Sequence, residues 1–176
     1  MIVGLSGYAR SGKDTVARCM EGYTRRAFAD PMRDMMLVLN PIVHDSVRLA
    51  DAVQRIGWEG AKCQYPEARR LLQAFGTDVG RNMIDDDLWV QVSARDLRGW
   101  EKIVFTDVRF PNEADAIRKI GGQVWRIERP GYGPVNGHSS ETALDGYEFD
   151  ATVVNDGSVE DLFGKIETAF VTGRAF

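Results

Sequence analysis

The chain has 176 residues, enough to bury a substantial core in one domain. Its 22 Lys and Arg face 26 Asp and Glu, so it lacks the basic surplus of a protein that coats a nucleic-acid polymer. No apolar run approaches a membrane span, and Cys19 and Cys63 have no metal-ligand or redox spacing, as expected of reduced thiols in a cytoplasmic protein.

Residues 2–6 predict a buried parallel strand, apolar on both faces. This run is too short for a secretory leader and passes straight into Gly7-Tyr8-Ala9-Arg10-Ser11-Gly12-Lys13-Asp14-Thr15. A helix from about Gly12, with Val16, Ala17 and Met20 on one face, stops at Gly22. Residues 23–28 predict a second strand. Asp30 can cap a helix and Pro31 can occupy its first turn; the helix ends before Asn40-Pro41. Val47, Ala50, Val53 and Ile56 have helical spacing, and 58–65 reads as irregular.

Pro66 opens a helix with Ala68, Leu71, Leu72 and Phe75 apolar, which Gly76-Thr77-Asp78-Val79-Gly80-Arg81 is expected to interrupt. Asp85-Asp86-Asp87 makes an acidic first turn for a helix to about Leu97, a simpler reading than a metal site. Residues 102–106 form an apolar strand that leads to Asp107-Val108-Arg109-Phe110. Pro111 then starts a helix with Ala114, Ile117 and Ile120 inward. Gly121-Gly122 turns into an alternating strand, 123–128. The aperiodic stretch 129–147 is long enough to suggest function. Residues 151–154 are a last strand. Ser158 and the acids after it resemble a capping box for a helix from Val159 to about Val171. The tail 172–176 carries no signal. Trp89 and Trp125 fall in periodic segments and read as core, while Trp58 and Trp100 are unassigned.

Strand, glycine-rich turn and helix, in that order, are the context of a phosphate-binding loop. Gly7 and Gly12 let backbone N–H groups converge on a phosphate, and the helix N-terminus adds positive potential. Arg10, Ser11, Lys13, Asp14 and Thr15 complete the expected nucleotide contacts, with Lys13 reaching the β- and γ-phosphates. Asp14 stands where Ser or Thr is usual; a carboxylate there can hold Mg²⁺ directly or through water. Asp107 ends an apolar strand at the sheet edge where ligands collect, and reads as a second metal-side acid or as a helix cap. Arg109 either clamps a phosphate or pairs with Glu113.

Interleaved strands and helices predict an α/β fold with a parallel sheet. The helices at about 30–98 form an insertion in a single domain, 1–176. There Arg33, Gln73 and Arg81 are candidates to bind a phosphorylated acceptor, Arg81 foremost because glycines precede it. Arg129 and the stretch His138-Ser139-Ser140-Glu141 belong to a lid at about 129–147, with Gly131, Gly133 and Gly137 as hinges.

Several stretches together resemble the phage deoxynucleoside monophosphate kinases, a branch of the P-loop nucleoside monophosphate kinases. They are Gly7 to Thr15, Phe28-Ala29-Asp30-Pro31, Leu72-Gln73-Ala74-Phe75-Gly76-Thr77-Asp78 with Arg81, Asp87-Leu88-Trp89-Val90, Asp107-Val108-Arg109-Phe110-Pro111-Asn112-Glu113-Ala114, and His138-Ser139-Ser140-Glu141. The resemblance implies a three-layer P-loop sandwich with about five parallel strands, an acceptor-binding insertion and a lid. It implies transfer of the ATP γ-phosphoryl, with Mg²⁺, to a deoxynucleoside 5′-monophosphate. Lys13, Asp14, Arg81 and Arg109 then become the catalytic set, and Asp14 and Asp107 the metal ligands. Arg33, Gln73, Asp78, Arg81, Asp107, Arg109, His138 and Glu141 become acceptor contacts; Arg129 joins the phosphate loop on ATP. The setting would be the cytoplasm of an infected bacterium, the partners small nucleotides, and a homodimer an allowed assembly. The alternative is a P-loop kinase of another phosphorylated acceptor, such as a coenzyme precursor. A nucleotide-operated switch is disfavoured, because neither Asn-Lys-x-Asp nor a post-strand Asp-x-x-Gly occurs.

Overall fold

The computed structural model describes residues 1–95, 97, 102–135 and 138–172. Trp100, Gly137 and residues 173–176 lie outside them. The chain divides into two compact units: Met1–Phe28 with Leu97–Phe176, and Ala29–Asp96.

The first unit holds a five-stranded, all-parallel sheet. Its strands are β1 (Ile2–Ser6), β2 (Thr24–Arg26), β5 (Ile103–Phe105), β6 (Gln123–Glu128) and β7 (Ala151–Val154), in the order β2-β5-β1-β6-β7. Val3 and Leu5 of β1 and Trp125 and Ile127 of β6 face one side. There they pack with Val16, Ala17 and Met20 of α1 (Lys13–Cys19) and Leu162, Ile166 and Ala169 of α8 (Val159–Thr172). Gly4 faces the other side, where a Cβ would overlap Ile117 of α6 (Pro111–Lys119) and Val108. The period-2 alternation of β-strands thus covers both sheet faces with helices, giving the three-layer α/β fold.

The helix caps are local. Buried Glu113, in the first turn of α6, accepts from the backbone N–H groups of Arg109 (2.8 Å) and Phe110 (3.1 Å). Ser158 and Asp161 satisfy each other across the start of α8 at 2.9–3.1 Å. The 129–147 stretch contains one short helix, α7 (Ser139–Thr142), whose N-cap His138 accepts from Ser140 N.

The second unit comprises α2 (Asp30–Leu39), the antiparallel pair β3 (Ile42–His44) and β4 (Val47–Arg48), α3 (Leu49–Gln64), α4 (Pro66–Gln73), a π-helical segment (Ala74–Ile84) and α5 (Leu88–Arg95). Its separate core includes Met32, Met36, Leu49, Ala61, Leu72 and Trp89.

Two readings change here. The expected helix beginning near Ser46 starts at Leu49, because Val47 and Arg48 are drawn into the hairpin. Asn40, in the left-handed region, holds the junction: its Oδ1 accepts from Ala50 N and its carbonyl from Arg48, each at 2.9 Å. The helix then continues through 58–64, expected to be irregular, with one non-helical residue at Gly57. Nor do Gly76 and Gly80 break the chain after α4; it widens into π-helical turns. The Trp89 indole donates to the Gly76 carbonyl at 2.7 Å and lies where a Gly80 Cβ would be. The glycines make room for neighbouring side chains, Met32 at Gly76 and Trp89 at Gly80, rather than ending a helix.

Candidate active site

The glycine-rich loop joins β1 to α1. Gly7, Arg10 and Gly12 have φ of 145°, 65° and 105°, a left-handed set that curls the backbone into a nest of N–H groups. A Cβ on Gly7 would strike the Ile127 carbonyl, and one on Gly12 would strike Asn155 Nδ2. Ser11 is buried, and its Oγ has no hydrogen-bond partner. A cradle this tight, with an unpaired hydroxyl, suits a polyphosphate oxygen rather than a side chain.

Lys13 lies along the loop and donates to the carbonyls of Gly7 (2.6 Å) and Tyr8 (2.8 Å). Its pKa is pushed down to about 8, first by burial and then by the Arg109 guanidinium; Asp14, Glu141 and Asp107 work in the opposite direction. The site therefore sets two cations against each other, with three carboxylates offsetting them.

Arg109 follows β5 by four residues. Its guanidinium donates to Glu141 at 2.7 Å and to the Ser140 carbonyl at 3.2 Å. The expected Glu113 partner takes the Arg109 backbone N–H instead. Burial alone would raise the Glu141 pKa, but the hydrogen bond and charge of Arg109, with Lys13 and a backbone donor, hold it below its ordinary value. Asp107 accepts from Phe28 N at 2.8 Å, tying β5 to the end of β2.

Asp14 is exposed in the first turn of α1. No cluster of three or more His, Cys, Asp or Glu suited to a metal occurs among the described residues. Mg²⁺ needs no such cage: it is held by one or two carboxylates with water and substrate phosphate. Asp14 and Asp107 are two carboxylates that both act on Lys13.

The remaining candidates have identifiable surroundings. Thr15 Oγ1 accepts from Arg18 at 3.2 Å, Arg10 is exposed, and exposed Arg129 stacks over Tyr132 at 4.8 Å. In the second unit, Arg33 pairs with Asp30 (3.1 Å) and lies over Trp58 (5.9 Å). Gln73 is half-buried and Asp78 exposed. Arg81 is 5% exposed and donates to the Asp86 carbonyl at 2.7 Å and carboxylate at 3.2 Å.

Asn155 escaped the sequence reading. It follows β7, and its Nδ2 donates to the Ser11 carbonyl at 2.9 Å. The available signal was its position: a polar residue just past an apolar strand, as with Asp107.

A model of the deoxynucleotide monophosphate kinase family matches residues 61–166. The chain belongs to that family. A protein of Acanthamoeba polyphaga mimivirus, provisionally named a deoxynucleotide monophosphate kinase, is 28% identical over 94% of both chains. The deoxynucleotide monophosphate kinase of Enterobacteria phage T4 is 38% identical over 104 residues, 56% of this chain and 43% of the phage protein, so that match spans under half the relative's length. The deoxynucleoside-5′-monophosphate kinase of Escherichia phage T5 is 23% identical over 68% of this chain and 72% of its own.

Proposed function

We propose that this family member transfers the γ-phosphoryl of ATP to a deoxynucleoside 5′-monophosphate, a step of deoxynucleotide supply. The observation that carries the reading is a left-handed glycine loop with Lys13 laid along its carbonyls, in a chain of the deoxynucleotide monophosphate kinase family.

The loop N–H groups and Lys13 would hold the donor phosphates. Arg109, whose planar fork matches two phosphate oxygens, would bridge to the acceptor. An oxygen of the acceptor phosphate attacks the γ-phosphorus, the bond to the β,γ-bridging oxygen breaks, and ADP leaves. The transition state spreads negative charge over the transferring group, and fixed cations stabilise it without reorganisation. Mg²⁺, when bound at Asp14 and Asp107, would neutralise further phosphate charge. Arg33, Gln73, Asp78 and Arg81 would serve the acceptor, and Arg129, His138 and Glu141 would belong to a segment that excludes water.

Purified protein should form ADP with ATP, Mg²⁺ and at least one deoxynucleoside monophosphate. Failure with every common deoxynucleoside monophosphate would overturn the reading. ADP formation with only another phosphorylated acceptor would favour a coenzyme-precursor kinase.

A further inference from the structure

We infer that Tyr8 is a positioning residue, pinning the phosphate loop so that its carbonyls hold Lys13. This inference rests on the phosphate-loop reading above. The loop has three residues with positive φ in a run of six, so its own backbone preferences specify its shape weakly. Tyr8 supplies the missing constraint from both ends. Its carbonyl accepts from Lys13 Nζ at 2.8 Å and from Ser11 N at 3.2 Å. Its hydroxyl donates to Asp145 at 2.8 Å, and its ring lies under the Arg126 guanidinium at 4.5 Å.

Arg126 is itself immobilised. It is 8% exposed, emerges from the central part of the sheet, and sits over Phe149 at 5.6 Å as well as Tyr8. It also pairs with Asp145 at 3.5 Å and Glu128 at 4.0 Å. Such a stacked, ion-paired cation is a fixed post, and cation–π contact strengthens as water is removed. Tyr8 therefore links that post and the end of the 129–147 segment to the oxygen that seats Lys13. Neither Tyr8 nor Arg126 belongs to the glycine-lysine pattern that marks the loop.

A positioning role separates donor from acceptor. Calorimetric titration with Mg²⁺ and ATP should show about a tenfold or greater loss of affinity for Tyr8→Ala, and about two- to threefold for Tyr8→Phe, which keeps the ring on Arg126. Asp145→Ala should resemble Tyr8→Phe, and the double variant should lose little more than either single one. The KM for the acceptor should not move. Wild-type ATP affinity in folded Tyr8→Ala would overturn the inference. So would donor and acceptor KM rising in parallel with a fall in Tm, which is what mere structural damage produces. If Tyr8→Ala does not fold, Tyr8→Phe decides: an unchanged ATP affinity rejects the hydroxyl link. Wild-type protein that binds ATP but phosphorylates no monophosphate would sink the kinase reading and leave this one standing.

Discussion

The glycine-loop unit and the Ala29–Asp96 unit both place glycines near a candidate cation, for different physical reasons. In the loop, Gly7 and Gly12 have positive φ, and the obstacle beside Gly7 is a backbone carbonyl that cannot step aside. In the other unit, Gly76 and Gly80 make room for the side chains of Met32 and Trp89. The cations differ in the same way. Lys13 donates to two loop carbonyls and has its pKa lowered by burial and by Arg109, whereas Arg81 pairs with Asp86, five residues away. The loop seats Lys13 on neutral carbonyls, whereas the buried cation in the other unit already has a carboxylate. A buried lysine with a lowered pKa is a candidate for a functional site.

The largest test of that contrast is Lys13→Ala. Removing the loop cation should lower kcat by about a thousandfold or more, the scale of a lost transition-state contact, while circular dichroism and melting remain close to wild type. A folded variant with near-normal turnover would erase the distinction between the two units.

The glycines should separate next. Gly7→Ala combines a positive φ with a carbonyl clash, and should cost ~3 kcal/mol or more in denaturant unfolding. Gly76→Ala meets only the Met32 thioether, at 2.7 Å, and should cost below about 1 kcal/mol because that chain can swing away. Equal losses would mean that both glycines serve the same purpose.

Arg81→Lys keeps the charge but replaces the buried guanidinium whose Nη1 donates to both the carbonyl and the carboxylate of Asp86. The expected cost is about 2 kcal/mol, read as a lower Tm. Both KM values on the same preparation sharpen the point. A rise for the acceptor alone would add substrate contact to Arg81's structural bonds.

The smallest effect concerns Glu141. Its folded pKa lies below the ordinary value, so its contribution to stability is complete above the unfolded pKa of about 4.3 and fades as pH falls through the folded value. The Tm advantage of wild type over Glu141→Gln should therefore be constant near neutrality and shrink on acidification. A constant difference down to strong acid would remove the Arg109 pair as its source.

Much of the loop unit was legible before folding because its signals are local. β1, β6 and β7, the start of α6 at Pro111 and the capping pair of α8 each depend on neighbours within a few residues, as hydrophobic spacing and caps require. The lysine and glycines of the loop announce themselves in the same way. Tertiary structure decided the rest. Asn155 meets Ser11 across 144 residues, Tyr8 meets Asp145 across 137, and Asp107 meets Phe28 across 79. These pairs exist because the strand order β2-β5-β1-β6-β7 brings the ends of distant strands to one edge, an arrangement that periodicity does not encode. The same reason governs the second unit. An Asn40 side chain ten residues away sets the junction before α3, and Trp89 carries helical turns through Gly76 and Gly80. Spacing along the chain specifies which residues want burial or a cap; only the folded chain chooses the partners that satisfy them.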